Sequence, residues 1–337
     1  MRIDCALPPS SLSRVIERAQ WAERVGFDGV VAAETSHDPF LALAVSSMEA
    51  PSLDLETAIA VAFPRSPTIT AHIAWDLAEA SGGRFTLGLG SQVRAHITRR
   101  FGGSWESPVP RMREYIQATR AVWAAWQGEG TLRFDGDYYR LSLMTPFFNP
   151  GPIDHPDIPV VIAAVNPAMC RLAGELCQGL VVHPFHTVDY LDQVVKPAVA
   201  AGAERTGRST DAISLHAAVM VVTGRDHAEM EAAAAQARRQ IAFYASTPSY
   251  RRVVEHAGWD VGPSLSGLAR QGRWGEMGDV IDGEMLAQVA VVAPLEELGK
   301  TIRRRYEGRL ARLSFYELGD WFVDDASWSR LISAIRE

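Results

Sequence analysis

The sequence predicts an α/β fold, specifically a (β/α)8 TIM barrel with an insertion segment. Three observations carry this. Short apolar runs alternate with longer amphipathic ones along the whole chain. About eight of the short runs are apolar throughout, as strands buried on both faces of a parallel sheet are. The chain has 337 residues, enough for one closed barrel with room to spare. A doubly wound open sheet is the competing arrangement. No G-x-G-x-x-G follows the first strand, which weakens its dinucleotide-binding version.

The elements follow in order. Ile3 to Leu7 reads as the first strand. Leu12, Val15, Ile16, Ala19, Ala22 and Val25 then recur at helical spacing, with a serine before them and Gly26 as the stop. DGVVAA (28–33) is the second strand, completing a βαβ unit. The stretch 53–63 reads as a strand, 68–81 as a helix stopped by Gly82 and Gly83, and 84–90 as a strand. A strongly amphipathic helix covers 110–127. Strands are expected at 158–165, 179–185 and 213–224, with helices at 167–177 and 188–206 between them. The run 287–294 resembles a further short strand, 295–307 a helix, and 310–318 the last strand. RFDGDYYRL (133–141) reads as a hairpin with a two-residue turn at Asp135-Gly136 or Gly136-Asp137. The stretch 246–285 is too long for a structureless loop. It is expected to carry short helices near the barrel mouth, inside one domain spanning 1–337.

Composition narrows the function classes. Lys plus Arg is 33 and Asp plus Glu is 40, a formal net charge of −7, which lacks the basic footprint of a nucleic-acid binder. Three cysteines with no Cys-x-x-Cys pair exclude a disulfide framework and a zinc ribbon. They fit a reducing compartment, and a cytoplasmic location is expected. No signal-like or membrane-spanning apolar run occurs, so no membrane partner is expected.

Chemistry in a parallel barrel sits at the C-terminal ends of the strands. The densest polar group there is Glu34 to Phe40. His37 can exchange a proton and Asp38 can orient it; capping of the helix at Pro39 explains Asp38 equally well. Gly88-Leu89-Gly90-Ser91-Gln92 either admits a ligand to the backbone or is only a tight turn. Asn166-Pro167 opens a helix whose free N–H groups can hold phosphate, though capping alone accounts for both residues. His183 and His186 have H-x-x-H spacing but do not share a face at a strand end, so no metal site is expected. Trp75, Trp105, Trp123 and Trp126 read as packing residues. Arg99, Arg100, Arg111 and Arg113 read as partners in helical ion pairs. No G-x-S-x-G elbow, P-loop, EF-hand or H-E-x-x-H motif is present.

Seven segments in a fixed order resemble the luciferase-like monooxygenases, and within them the deazaflavin (coenzyme F-420)-dependent oxidoreductases. They are VVAAETSHDPFLAL (30–43), TAIAVAFPRSP (57–67), SGGRFTLGLGSQVRAHITRRFG (81–102), MREYIQATRAVWAAW (112–126), FDGDYYRL (134–141), VVIAAVNPAMCRLAGELCQGLVVHPFHT (160–187) and RLSFYEL (312–318). The resemblance runs to about Phe322 and implies a bacterial-luciferase-like barrel. It implies a bulge with a non-proline cis peptide at Ala58-Ile59 behind the cofactor ring. Gly90, Ser91 and Gln92 would lie along the ring edge or tail. Ala164, Val165 and Asn166 would face the ribityl-phosphate end, with His183 and Pro184 on the same side. Thr35 and His37 would face the reacting carbon, with His37, Glu34 or water as proton source. Asp38, Phe40 and Arg65 would meet substrate.

The family's sugar-phosphate and alcohol dehydrogenases carry an Asp-His pair after the second strand, which here is Glu34-Thr35. Where they carry a Glu after the G-x-G, this chain has Val93. Reduction of an activated C=C or C=N bond therefore fits better than alcohol oxidation. The implied cofactor is reduced deazaflavin, with FMN in a monooxygenase as the alternative and a non-catalytic deazaflavin-binding protein as a third reading. The expected partners are a small-molecule or peptidic substrate and a second copy in a homodimer.

Overall fold

The computed structural model describes residues 1–316 and 324–337. Eight barrel strands run parallel: β1 (Arg2–Ala6), β2 (Gly29–Ala32), β3 (Asp54–Thr57), β4 (Phe85–Gly90), β5 (Val160–Ala164), β6 (Gly179–Val182), β7 (Ser214–Val222) and β8 (Arg312–Tyr316). Each pairs with the next, and β1 pairs with β8 through Ile3 and Leu313. That last ladder closes the sheet and excludes the open doubly wound alternative. Glu317 and Leu318, expected at the end of β8, lie outside the described residues.

Helices cover the outside as the periodicity requires. Leu12–Val25 buries Val15, Ala19, Ala22 and Val25 and stops at Gly26, whose φ of 97° needs a residue without a side chain. Pro108–Trp126 buries Met112, Tyr115, Ile116, Val122 and Trp126. Helices Pro167–Leu176 and Lys196–Arg205 touch backbone to backbone. A Cβ on Gly174 would lie 2.0 Å from the Val199 carbonyl oxygen, and one on Gly202 2.0 Å from that of Arg171.

Four expectations need correction. The hairpin pairs Asp135 with Arg140 and the Gly136 N–H donates to the Tyr139 carbonyl at 2.9 Å, so the two-residue turn is Asp137-Tyr138, later than expected. The Glu114 carboxylate accepts the N–H groups of Asp137, Tyr138 and Tyr139, and this external anion holds the turn there. The run 287–294 is mostly not strand. Asp282 caps a helix over Gly283–Val289, which buries Leu286 and Val289, and only Val291–Val292 pairs with β7. The helix expected at 188–206 is interrupted by a π-helical turn at Leu191–Val195, just before Pro197, which has no N–H to continue the ladder. A final helix, Asp325–Arg336, went unread in the sequence. It sets Trp328 against Trp21, Phe27 and Phe315.

The stretch 246–285 folds as short helical pieces, chiefly Arg251–His256, Gly262–Arg270 and the 3-10 turn Trp274–Val280. Among the described residues no helix is long and apolar enough to cross a membrane. The helix–helix contact generates a test. Gly174→Ala is expected to lower stability by about 1–3 kcal/mol through overpacking, read as a lower urea midpoint with an unchanged slope.

Candidate active site

The C-terminal end of the barrel holds two adjoining spaces. One, of about 410 Å3, lies inside the barrel. The other, a groove of about 500 Å3, runs outward between β4 and β5 and under residues 249–250. Ile59, Ala163 and His183 wall both. The inner cavity exists because the side chains that alternate inward are small. Ala6, Ala33, Ala58, Ala163 and Ala218 line it, where a barrel of this kind is ordinarily plugged by branched residues.

The shared wall is built by β3. After Thr57 the peptide Ala58-Ile59 is cis, and Ala60–Val61 resumes pairing against Leu89 and Gly90 of β4. The G-x-G of β4 serves this junction. A Cβ on Gly88 would fall 1.7 Å from the Thr57 carbonyl oxygen, and one on Gly90 2.4 Å from Ile59 Cδ1. Thr57 Oγ1 accepts the Gly88 N–H and donates to the Gly88 carbonyl, both at 2.8 Å.

Glu34 holds the far side of the junction. Its Oε2 accepts the Val61 N–H at 2.7 Å and pairs with Arg65 at 2.6 Å, with the carboxylate side chain 7% exposed. Arg65 also pairs with Asp38 at 2.9 Å, and its guanidinium sits 5.3 Å over the Phe40 ring. Asp38 in turn caps the helix Pro39–Glu49 through the Phe40 and Leu41 N–H groups. Glu34, Asp38, Phe40 and Arg65 therefore brace the loop, and none of the four walls either space. This departs from the proton and substrate roles that the loop position implied. His37 lines an adjoining cavity of about 250 Å3, which shares Leu7, Pro8, Pro9 and Ala33 with the inner one. Thr35 is exposed and accepts an Arg100 hydrogen bond at its carbonyl.

The remaining expected residues converge. Ala58, Ile59 and Pro184 line the inner cavity; Gly90, Ser91, Gln92, Ala164, Val165 and Asn166 line the groove; His183 faces both. The groove ends at the helix Pro167–Leu176, whose Asn166 cap makes no side-chain hydrogen bond to the helix. The first-turn N–H groups near Ala168 are thus open to an anion, and Arg94 adds positive charge along the same groove.

His183 has a defined tautomer. Its Nδ1 accepts the Phe185 N–H at 3.1 Å, so Nε2 carries the proton and donates to the Tyr250 hydroxyl at 3.0 Å. That leaves the Tyr250 O–H free to donate into the groove. His186 Nδ1 donates to the His183 carbonyl, and its Nε2 accepts from Tyr306. Burial pushes His183 down to about 3 and His186 down to about 4. Both rings are committed to protein partners, and among the described residues no group of three His, Cys, Asp or Glu is placed to hold a metal ion.

The cavity floor was not anticipated. Asp4 is bidentate to Arg312, which also reaches Asp54 at 2.7 Å. Burial pushes the Asp4 carboxyl up against the pull of Arg312. Glu56 and His216 face each other beside this pair, 3% and 8% exposed. The available signal was a charged or titratable residue in mid-strand within RIDCA, LDLET and ISLHAAV, with no sequence neighbour to pair with.

Two predictions follow from these contacts. Arg65→Ala strands the Glu34 carboxylate and should cost about 3 kcal/mol in urea unfolding, with part regained in Glu34→Gln/Arg65→Ala. The buried histidines make the fold acid-sensitive. In the unfolded chain they titrate at 6.5, so the unfolded state takes up protons first. Their contribution is complete above pH 6.5 and is lost as pH falls toward 4 for His186 and 3 for His183. Urea midpoints measured from pH 7 to pH 4 should fall steadily, and His186→Gln should flatten that slope.

Residues 2–312 match the luciferase-like monooxygenase family. The chain is 45% identical over 314 residues to an uncharacterized protein of Mycobacterium tuberculosis, covering 93% of this chain and 92% of that one. It is 31% identical over 230 residues to the 5,10-methylenetetrahydromethanopterin reductase of Methanolobus tindarius, covering 68% and 67%. The coenzyme F420 dependent tetrahydromethanopterin reductase of Methanopyrus kandleri superposes with a TM-score of 0.80 at 19% identity, covering 99% of this chain and 98% of that one, which shows the shared fold. The barrel closed by β8 on β1 and the match over 2–312 agree: the chain belongs to the luciferase-like monooxygenase family, a family of oxidoreductases.

Proposed function

We propose that this protein is a deazaflavin (coenzyme F420)-dependent oxidoreductase that transfers hydride between the reduced cofactor and an organic substrate, reducing an activated C=C or C=N bond. The observation that carries the reading is the paired space at the barrel mouth. A flat ring has the Ala58-Ile59 junction as its backing wall and the alanine-lined cavity for its inner end. An anionic tail has the groove, with Arg94 along it and the uncapped helix end at Asn166–Ala168. These residues fit a tricyclic cofactor with a phosphate tail. The naming of the Methanopyrus relative for coenzyme F420 favours the deazaflavin over FMN.

When bound, a reduced deazaflavin supplies a hydride, and the protein supplies orientation and electrostatics. The Ile59 side chain and the junction behind it would back the ring. Tyr250, accepting from His183, offers its O–H to a polar atom in the groove. Residues 249–250 cover the groove and limit water there. Glu34 lines neither space, which leaves His37 in the adjoining cavity, or water, among the expected proton sources.

Two measurements test the reading. Purified protein is titrated anaerobically with reduced coenzyme F420 and with reduced FMN, then exposed to oxygen. Saturable F420 binding and substrate-dependent oxidation of the cofactor are expected. Tight FMN binding with oxygen-dependent turnover makes the protein a monooxygenase instead, and F420 binding without turnover over a broad substrate panel makes it a carrier. Ala168→Asp places a carboxylate at the groove's anion end. It should weaken F420 binding about tenfold without lowering thermal stability, because an acid in the first turn favours the helix.

A further inference from the structure

The inner cavity has a second way out. Glu56 points up into it from β3, two residues and one pleat below Ala58. Among the described residues nothing donates a hydrogen bond to either Glu56 oxygen. Oε2 is buried and lies 2.8 Å from His216 Nδ1, with the contact off the line of an aligned hydrogen bond, and neither atom has another partner. Across the same imidazole, Nε2 lies 2.7 Å from Ser214 Oγ, whose O–H has the Gln178 carbonyl at 3.2 Å as its other acceptor. Ser214 is half-buried and belongs to a different space. It lines a cavity of about 700 Å3 at the opposite end of the barrel, rimmed by the exposed residues Thr210, Asp211 and Gly308.

Two oxygens of a carboxylate, two nitrogens of an imidazole and one hydroxyl thus stand in file between the two ends of the barrel. Each can take a proton on one side and release it on the other. Two buried atoms with unmet hydrogen bonds at contact distance are costly unless a proton passes between them. The other charged groups that face this pair are Asp4 from β1 and Arg312 from β8, and those two are bound to each other.

We infer that Glu56, His216 and Ser214 form a proton relay that joins the cofactor cavity to solvent at the opposite end of the barrel. Its use rests on the function proposed above; its existence does not. A water at the lower cavity gives a proton to Ser214 Oγ as the Ser214 proton moves to His216 Nε2. The Nδ1 proton then moves to Glu56, and the carboxyl offers it to the cavity. No electrons move along this path. The hydride donor supplies two electrons and one hydrogen to one atom of the substrate double bond, and the relay supplies the proton to the other. The proton that the oxidised carrier gives up returns to solvent. The relay works when cofactor closes the mouth; among the described residues no acid of the mouth loops lines the cavity.

The test reads proton exchange rather than turnover. Cofactor-free protein labelled with 15N-histidine is examined by NMR, with the His216 ring assigned by its loss in His216→Gln. Solvent exchange of the His216 N–H is expected to slow at least tenfold in Ser214→Ala and to recover in Ser214→Thr, which keeps the hydroxyl. Unchanged exchange in Ser214→Ala overturns the relay. Adding reduced coenzyme F420 should leave exchange in the unaltered protein intact; exchange that stops shows the protons came through the mouth and also overturns it. If F420 does not bind, the proposed function fails while the cofactor-free comparison still decides the relay.

Discussion

The feature on which the site depends is a layer of missing side chains. A parallel eight-stranded barrel fills its own interior with branched residues, and its stability comes from that packing. Here the inward positions at the C-terminal end are alanines, on β1, β3, β5, β7 and after β2. The space they leave is what a planar ligand needs. Its cost is lost apolar contact inside the barrel, which is offset by the packing of the helices outside, where Trp75, Tyr115 and Trp126 are all buried.

An empty layer would be a weakness without support beneath and beside it. Beneath, Arg312 is held between Asp4 and Asp54 and ties β8 to β1 and β3. Charges in this position persist only because each finds a partner. Beside, the β3 junction is clamped from both sides. Thr57 and Gly88 share two hydrogen bonds, and Glu34 holds the Val61 N–H while Arg65 neutralises it. The loop after β2, dense in polar groups, is thereby a structural brace. Among the described residues, Glu56 Oε2 and His216 Nδ1 in the cavity keep unmet hydrogen bonds, and the Tyr250 O–H stays free to donate in the groove.

Much of the fold was legible because period and punctuation agree. Gly26 after Val25 and Pro67 at the start of a helix mark boundaries by backbone chemistry that tertiary contacts do not overrule. Where period alone had to decide, it failed. AQVAVVAP satisfies both a strand and a buried helix turn, and the Asp282 cap settled it. The position of the hairpin turn depended on Glu114, twenty-three residues before Asp137.

By itself the sequence determined the barrel and the order of its elements, because these follow from local periodicity and from glycines and prolines with restricted or permissive backbones; the β3 junction and the residues along the groove were implied by the resemblance of its segments to a family. Only the tertiary structure decided which polar residues are spent on each other and which are left to act. Glu34 and Arg65 stand far apart in sequence, as do Glu56 and His216. Whether a carboxylate is neutralised, buried or open to a cavity depends on what the closed sheet brings within about 3 Å of it, and Coulomb and hydrogen-bond energies fall too steeply with distance for sequence spacing to reveal that.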